Sequence, residues 1–432
     1  MSAALPAGPR QPGFVQALEY TLRFPRYTAR LHARYGHSYT LRIPGLPPTV
    51  VTTDRQLIRH MLTGDPLARR HANDILGALL GDGSVMVLEP AGHIARRRLL
   101  LPPFHGEQIK GYSRRVRELV DEDLDTWPVG EPLRVHDHAR KLTLAVIQSA
   151  VLGSRDEDLA GRLGEILDLT GSPVANLALF APSLQRRARW NIVGERFHQI
   201  RSSLDGLMVA RVRATRADPA LPERTDLLAL LARSTDEHGR GLSEQELTDE
   251  LKTLLIAGHE STATAIAWAA EILSRNREAA ERLCEAARVG DAAYISRAAK
   301  EVLRLRTVAP VSVARTLLDE AQTEGHVLSP RTVVVVDALT LHHDAALHPR
   351  PDTFRPERFA DGGPPPYSYL PFGGGAHRCL GAALASLELE AFLAAVSARF
   401  SLSPVGPPEA AVRRGPTLVP AKGATVRARP RS

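Results

Sequence analysis

The sequence predicts a mainly α-helical protein with a minor β region. From about residue 55 to residue 300 apolar residues recur at helical spacing, interrupted by Gly/Pro loops. Ser243-Glu244-Gln245-Glu246 is a capping box, and helical character continues from it to about Arg275, roughly 48 Å at ~1.5 Å per residue. The β-type runs are short and stand outside that stretch.

In chain order, residues 1–13 are rich in proline and glycine, and Phe14 to Arg34 reads as one amphipathic helix. Ser38 to Ile43 and Thr49 to Thr52 read as a strand pair around the turn Pro44-Gly45-Leu46-Pro47-Pro48. Residues 216–224 form a loop too short to link domains. Arg331 to Ala338 is a valine-rich β run, Ala382 to Phe392 is an Ala/Leu-rich helix, and Ala424 to Arg427 is a final strand. No repeat or long disordered tract interrupts the pattern, so residues 1–432 are expected to form a single domain.

Bulk composition narrows the function. Hydrophobic residues make up 44% of the chain, enough for a sizeable core. The two cysteines, Cys284 and Cys379, offer no disulfide framework, and no Cys-x-x-Cys-His is present for covalent haem attachment. A lone thiol that must stay reduced suits the cytoplasm. No apolar run is long enough for a signal peptide or a membrane anchor. The net charge of +7 comes almost entirely from arginine, scattered among acids without aromatic interleaving. That pattern argues against nucleic acid and for an acidic protein partner. His136-Asp137-His138 and His342-His343-Asp344 lack metal-site spacing, and no phosphate loop, dinucleotide fingerprint or nucleophile elbow occurs.

Chemistry concentrates at a few places. Cys379 ends Pro371-Phe372-Gly373-Gly374-Gly375-Ala376-His377-Arg378 and precedes Leu380-Gly381 and the Ala/Leu helix. Its glycines permit positive φ and close approach to a flat ligand. A helix start is expected to lower the thiol pKa. Taken alone, the residue could be a buried structural cysteine after a glycine turn. Within the long helix, Leu254 to Ala265 holds Gly258, Glu260, Ser261, Thr262 and Thr264 in an otherwise apolar run. Polar groups there serve a function, or else Gly258 is a packing notch and the hydroxyls bond back to the helix. Glu301 and Arg304 share a helical face, ordinarily a solvated pair.

Phe372, Gly375, His377, Cys379 and Gly381 match Phe-x-x-Gly-x-(His/Arg)-x-Cys-x-Gly, which resembles the haem-binding signature of the cytochrome P-450 family. The resemblance implies that Cys379 is the axial iron ligand, with Phe372, Gly373, His377 and Gly381 beside the haem. Ala257-Gly258-His259-Glu260-Ser261-Thr262 is similar to the family's oxygen-activation motif. Its small residues, Ala257 included, leave room for O₂, Glu260 is the acid and Ser261 the alcohol. Ser261 stands where the family usually has threonine, and Thr262 could substitute. Glu301, Arg304 and Arg358 look like the family's structural triad. Gly92 to Arg98 resembles its propionate-binding helix, so that His93 and Arg97, then Arg315 and His377, would hold the propionates.

The resemblance further implies a triangular-prism fold with non-covalent haem b (iron protoporphyrin IX) between the long helix and the helix after Cys379. The expected reaction inserts one atom of O₂ into a hydrophobic organic substrate by hydroxylation or epoxidation. Electrons would come from NAD(P)H through a ferredoxin or flavodoxin-type donor and its reductase, steered by Arg96, Arg98 or Arg378. The pocket would be lined by residues around Leu76 to Val87, Val174 to Phe180, Ile256, Ala257, and Val308 to Val313. Alternatives are a peroxide-driven or oxidative-coupling haem-thiolate enzyme and a haem-based gas sensor; Glu260 argues against the first and the proton-relay residues against the second.

Overall fold

The computed structural model describes residues 5–63, 77, 79–104, 106–153, 156–171, 192–236, 238–312 and 314–431. Helices take up 56% of the chain and strands 12%, in keeping with the mainly α expectation.

The expected first helix is two, Gly13–Leu22 and Phe24–Tyr35, broken at Arg23. Pro25 sits in the first turn of the second, where its missing N–H breaks no helical bond; farther inside a continuous helix it would. Strands β1 (Ser38–Leu41) and β2 (Thr49–Thr52) pair antiparallel, Ser38 opposite Thr52. They join a four-stranded sheet ordered β1-β2-β7-β4, with β4 being Arg315–Thr316 and β7 Val333–Val336. β2 and β7 run parallel, and all four valines of β7 are buried, the continuous apolar run that a covered parallel strand requires. The valine run is shorter than expected because Arg331 has φ +70° and Asp337 caps the short helix Ala338–His342 through Thr340 N–H. A second sheet joins β3 (Pro132–Arg134), β11 (Thr425–Pro430) and β8 (Phe400–Pro404), while β5 (Ala321–Thr323) with β6 (His326–Leu328) and β9 (Ala411–Arg414) with β10 (Thr417–Pro420) form two hairpins.

The helix Glu244–Arg275 runs through the largest apolar core. Its capping box is reciprocal: Ser243 Oγ accepts from Glu246 N–H at 3.2 Å and Glu246 Oε2 accepts from Ser243 N–H at 2.8 Å. It is buried on nearly every side, and the polar groups it buries, Asp249, Glu250, Lys252 and His259 among them, are held by partners on neighbouring segments. Trp268 Nε1 donates to Leu418 O at 2.8 Å and ties it to β10. Against its middle lies the helix Val135–Leu152, which comes close because residue 258 is glycine; a Cβ there would stand 2.8 Å from Ile147 Cδ1. The helix Ala382–Arg399 buries Leu384, Leu389, Phe392, Leu393 and Val396 in the same core. Among the described residues no helix is long and apolar enough to cross a membrane.

Candidate active site

Cys379 lies at the end of a tightly determined loop. Its N–H donates to Phe372 O at 2.9 Å, and Gly373 and Gly375 adopt φ +65° and +63°, where other side chains would be strained. Gly375 also packs against backbone, since a Cβ on it would lie 2.5 Å from Leu62 O, while Gly374 faces the Leu62 side chain. Two of the three glycines are therefore required by a neighbouring helix end, not by open space. Gly381, by contrast, has nothing within 4 Å of where a Cβ would stand.

The thiol is exposed by surface area yet surrounded by protein on its other sides, and that burial raises its pKa. Gly381 N–H, Arg97 and Arg378 oppose the rise without cancelling it. This corrects the expectation of a thiol lowered by a helix start. The helix begins at Ala382 with Gly381 as N-cap, so Cys379 stands outside the first turn. A metal that takes this sulfur must displace its proton.

Two arginines near or within this region lack counter-charges among the described residues. Arg97 is half-buried, within electrostatic reach of Cys379, and depressed by burial. Arg315, on β4, is only 8% exposed, and burial alone pulls it down to about 10. His93 differs. Its Nδ1 lies 2.8 Å from Val85 O, its Nε2 lies 3.3 Å from Ala376 O, and its ring rests 4.0 Å from that of His377. It joins the loop at residue 85 to the cysteine loop.

On the central helix Ala257 is exposed although the helix is otherwise largely buried, so this stretch faces open space. Ser261 Oγ donates to Ala257 O at 3.0 Å, the back-bonded arrangement, and Thr262 is buried. Gly258 faces Ile147 and acts as a packing notch; it does not provide room for O₂. Glu260 turns toward the neighbouring helix, with Oε1 3.2 Å from His136 Nε2 and Oε2 3.1 Å from Arg140 Nε. Burial pushes its carboxyl up, but the contact with His136 and the charges of His136, Arg140 and His259 bring it below the usual range. His259 is driven down to about 4 by burial, and its Nδ1 lies 3.0 Å from Thr143 Oγ1.

Glu301, Arg304 and Arg358 come together. Arg304 holds Glu301 bidentately at 2.8 and 2.8 Å, both side chains fully buried, and Arg358 Nε donates to Glu301 Oε1 at 3.0 Å. Arg304 Nη1 donates to His342 O at 2.8 Å, and His342 Nε2 accepts from Leu370 N–H at 2.8 Å. Its Nδ1 lies 2.8 Å from Thr307 Oγ1, whose own proton goes to Arg304 O, so Nδ1 carries the ring's single proton. Burial, reinforced by His348, His343 and the Arg304 guanidinium, keeps that ring neutral. The clamp thus reaches the segment that leads into the cysteine loop.

Sequence reasoning missed several residues. His136 and Arg140 were invisible as partners of Glu260; only their i, i+4 spacing, continued by Thr143 and Ile147, hinted at a shared face. Arg96 cannot steer a partner, because it is buried against Glu250 at 2.8 Å and Glu246 at 2.6 Å and donates to Gly83 O at 2.7 Å. Arg98 and Arg378 remain exposed. Of the expected pocket lining, Leu76, Ala78, Val174 to Phe180 and Val313 lie outside the described residues.

A family model described as cytochrome P450 matches residues 6–426. A Mycobacterium tuberculosis protein named cytochrome P450 135B1 is 36% identical over 440 residues, covering 99% of this chain and 92% of its own. Another from that organism, cytochrome P450 138, is 34% identical over 400 residues, with 92% and 90% covered. The solved structure of the cyanobacterial protein CYP120A1, with retinoic acid bound, superposes with a TM-score of 0.87 at 22% identity, covering 99% of this chain and 100% of that one.

Proposed function

The chain belongs to the cytochrome P450 family and is a monooxygenase, and from that premise we propose that it oxygenates a hydrophobic small molecule at a haem held by Cys379. Haem iron is the family's cofactor. The reaction proposed is insertion of one atom of O₂ by hydroxylation or epoxidation, in the cytoplasm. Electrons come from NAD(P)H through a ferredoxin or flavodoxin-type donor and its reductase, docking near exposed Arg98 and Arg378.

The single observation that carries this reading is an open thiol, Cys379, beside a guanidinium, Arg97, that has no carboxylate of its own among the described residues. Arg315 strengthens it, since a buried cation without a partner is costly and a haem propionate would supply one. When bound, a thiolate-ligated haem supplies the O–O cleavage that no side chain can perform. Cys379 would hold the iron, Arg97 and Arg315 the propionates, and Phe372, Gly373, His377 and Gly381 would border the ring. His93 would fix the loop beside it. Ala257 keeps the central helix from filling the space above.

Proton movement falls to Glu260 and Ser261, with Thr262 as the second alcohol. Glu260 is ionised at neutral pH and so able to accept a proton. Ser261 gives its own proton to Ala257 O, leaving its lone pairs to accept. Of the residues expected to line the pocket, Met86 and Ile256 are partly exposed and Ala257 exposed, and this apolar set would select a hydrophobic substrate.

The test is the absorption spectrum of reduced protein under carbon monoxide. The strongly red-shifted band of thiolate-ligated haem is expected for the natural chain and Cys284→Ser, and lost in Cys379→Ser. Persistence of the band in Cys379→Ser overturns the assignment. Turnover by hydrogen peroxide alone, as fast as with reductase and NAD(P)H, would replace the electron-transfer reading with a peroxide-driven one.

A further inference from the structure

The helix Gly13–Leu22 turns an apolar crest outward. Phe14 is 68% exposed, Leu18 52% and Leu22 60%, at i, i+4 and i+8 on one face. Among the described residues seven large apolar side chains are exposed, and three fall on these ten residues. A fourth, Val412, lies on β9, which packs against this helix. The helix is firmly seated. Gln16 Nε2 donates to Pro9 O at 3.2 Å and Gln11 O at 2.8 Å, and Gln16 Oε1 accepts from Arg42 N–H at 2.9 Å. Ala17 and Tyr20 are buried on the inner face, with the Arg413 guanidinium 4.9 Å from the Tyr20 ring centroid.

Charge around the crest is one-sided. Residues 1–53 hold six arginines and a single acid, Glu19, which is already engaged by Arg23 at 3.3 Å and Arg30 at 2.8 Å. Arg10, Arg26 and Arg42 are exposed without an acidic partner among the described residues. The positive balance is therefore not evenly scattered. Residues 1–53 and 400–432 hold twelve basic residues against two acidic, leaving 43 basic against 46 acidic in between.

We propose that this face docks on an anionic lipid surface, with Phe14, Leu18 and Leu22 dipping into the headgroup boundary and the surrounding arginines meeting lipid phosphates. The geometry favours lipid over protein. A crest on a single helix is convex and can sink into a fluid interface, whereas a protein partner would have to supply a matching groove. Arginine at such a surface adds attraction worth roughly fivefold in partitioning per residue. The two contributions together give reversible, salt-sensitive attachment without a spanning helix.

Vesicle flotation of the full haem-loaded chain tests the proposal, with phosphatidylcholine alone and with phosphatidylcholine plus phosphatidylglycerol. Binding to the phosphatidylglycerol vesicles is expected at roughly tenfold or more above the neutral ones, falling with salt. Phe14→Ser/Leu18→Ser/Leu22→Ser should weaken it roughly tenfold or more. Arg10→Gln/Arg26→Gln/Arg42→Gln should reduce the salt dependence. Unchanged melting temperature and carbon monoxide spectrum would show that both variants fold. Absence of vesicle binding by the natural chain overturns the proposal, as does binding indifferent to the serine variant. Self-association that the serine variant abolishes, with no affinity for vesicles, would assign the crest to a second copy of the chain.

Discussion

A buried arginine with no counter-charge destabilises the chain that carries it unless an anion arrives to meet it. Arg315 is in that position on a two-residue strand, and Arg97 shares the condition near Cys379. Replacing Arg315 by leucine should therefore act in opposite directions. Haem retention should fall by about tenfold or more, the loss of a charged hydrogen bond worth roughly 1.5–3 kcal/mol. The cofactor-free chain should melt no lower than the natural one, because an apolar side chain suits the site better than a lone cation. Haem content per chain and the melting temperature with and without cofactor measure both effects, and unchanged haem content would remove Arg315 from the site. Cys379 and its surrounding signature were legible because those residues lie within ten positions of one another. The direction of the thiol pKa was not, because burial depends on chain that folds over it from elsewhere.

At the scale of the element, local chemistry read well and long-range pairing did not. The capping box at Ser243 fixed the start of the central helix from four consecutive residues. The split at Arg23 was missed although Pro25 announced it, because amphipathic spacing continues across the break. The contacts that bind residues 81–96 to the central helix join residues more than 150 apart: Arg96 to Glu250, Val85 N–H to Glu250 Oε1 at 2.8 Å, and Gly83 N–H to Asp249 Oδ2 at 2.9 Å. No window along the sequence contains both partners. Glu250 is fully buried, its Oε2 has no hydrogen-bond partner among the described residues, and burial raises its carboxyl to about 7 despite Arg96. A carboxyl raised in the folded state stabilises fully below its unfolded value, and that stability is lost as pH rises through about 7. The natural chain should thus lose up to about 3 kcal/mol relative to Glu250→Gln between about pH 5 and about pH 8. Denaturant unfolding of both proteins at the two pH values checks this; parallel pH dependence would show that Glu250 titrates normally.

For the molecule as a whole, the Glu301 clamp ties the helix Ala292–Leu305 to the segment that leads into the cysteine loop, alongside the bond from the Tyr369 hydroxyl to Lys300 O at 3.0 Å. The helix Ala292–Leu305 supplies Glu301 and Arg304, while Arg358 and the N–H of Arg355 reach the same carboxylate from the far segment at 3.0 and 2.9 Å. Arg304 also holds Pro351 O and His342 O, and His342 holds Leu370, two residues before Phe372, whose carbonyl fixes Cys379. Sequence spacing gave the Glu301–Arg304 pair, but it could not distinguish a solvated pair from a buried one, nor show that His342 continues the chain of bonds. Glu301→Gln leaves two buried guanidiniums facing a neutral amide and should cost roughly 3–5 kcal/mol of unfolding free energy. Arg358→Lys, which keeps the charge but loses the fork that bonds Pro349 O, Arg350 O and Thr353 O, should cost less than Glu301→Gln. If residues 1–432 unfold as one domain, helical circular dichroism and haem absorbance should shift together in a single transition for each variant. Loss of haem absorbance well before loss of helix would place the clamp and the cysteine loop in a separately melting unit.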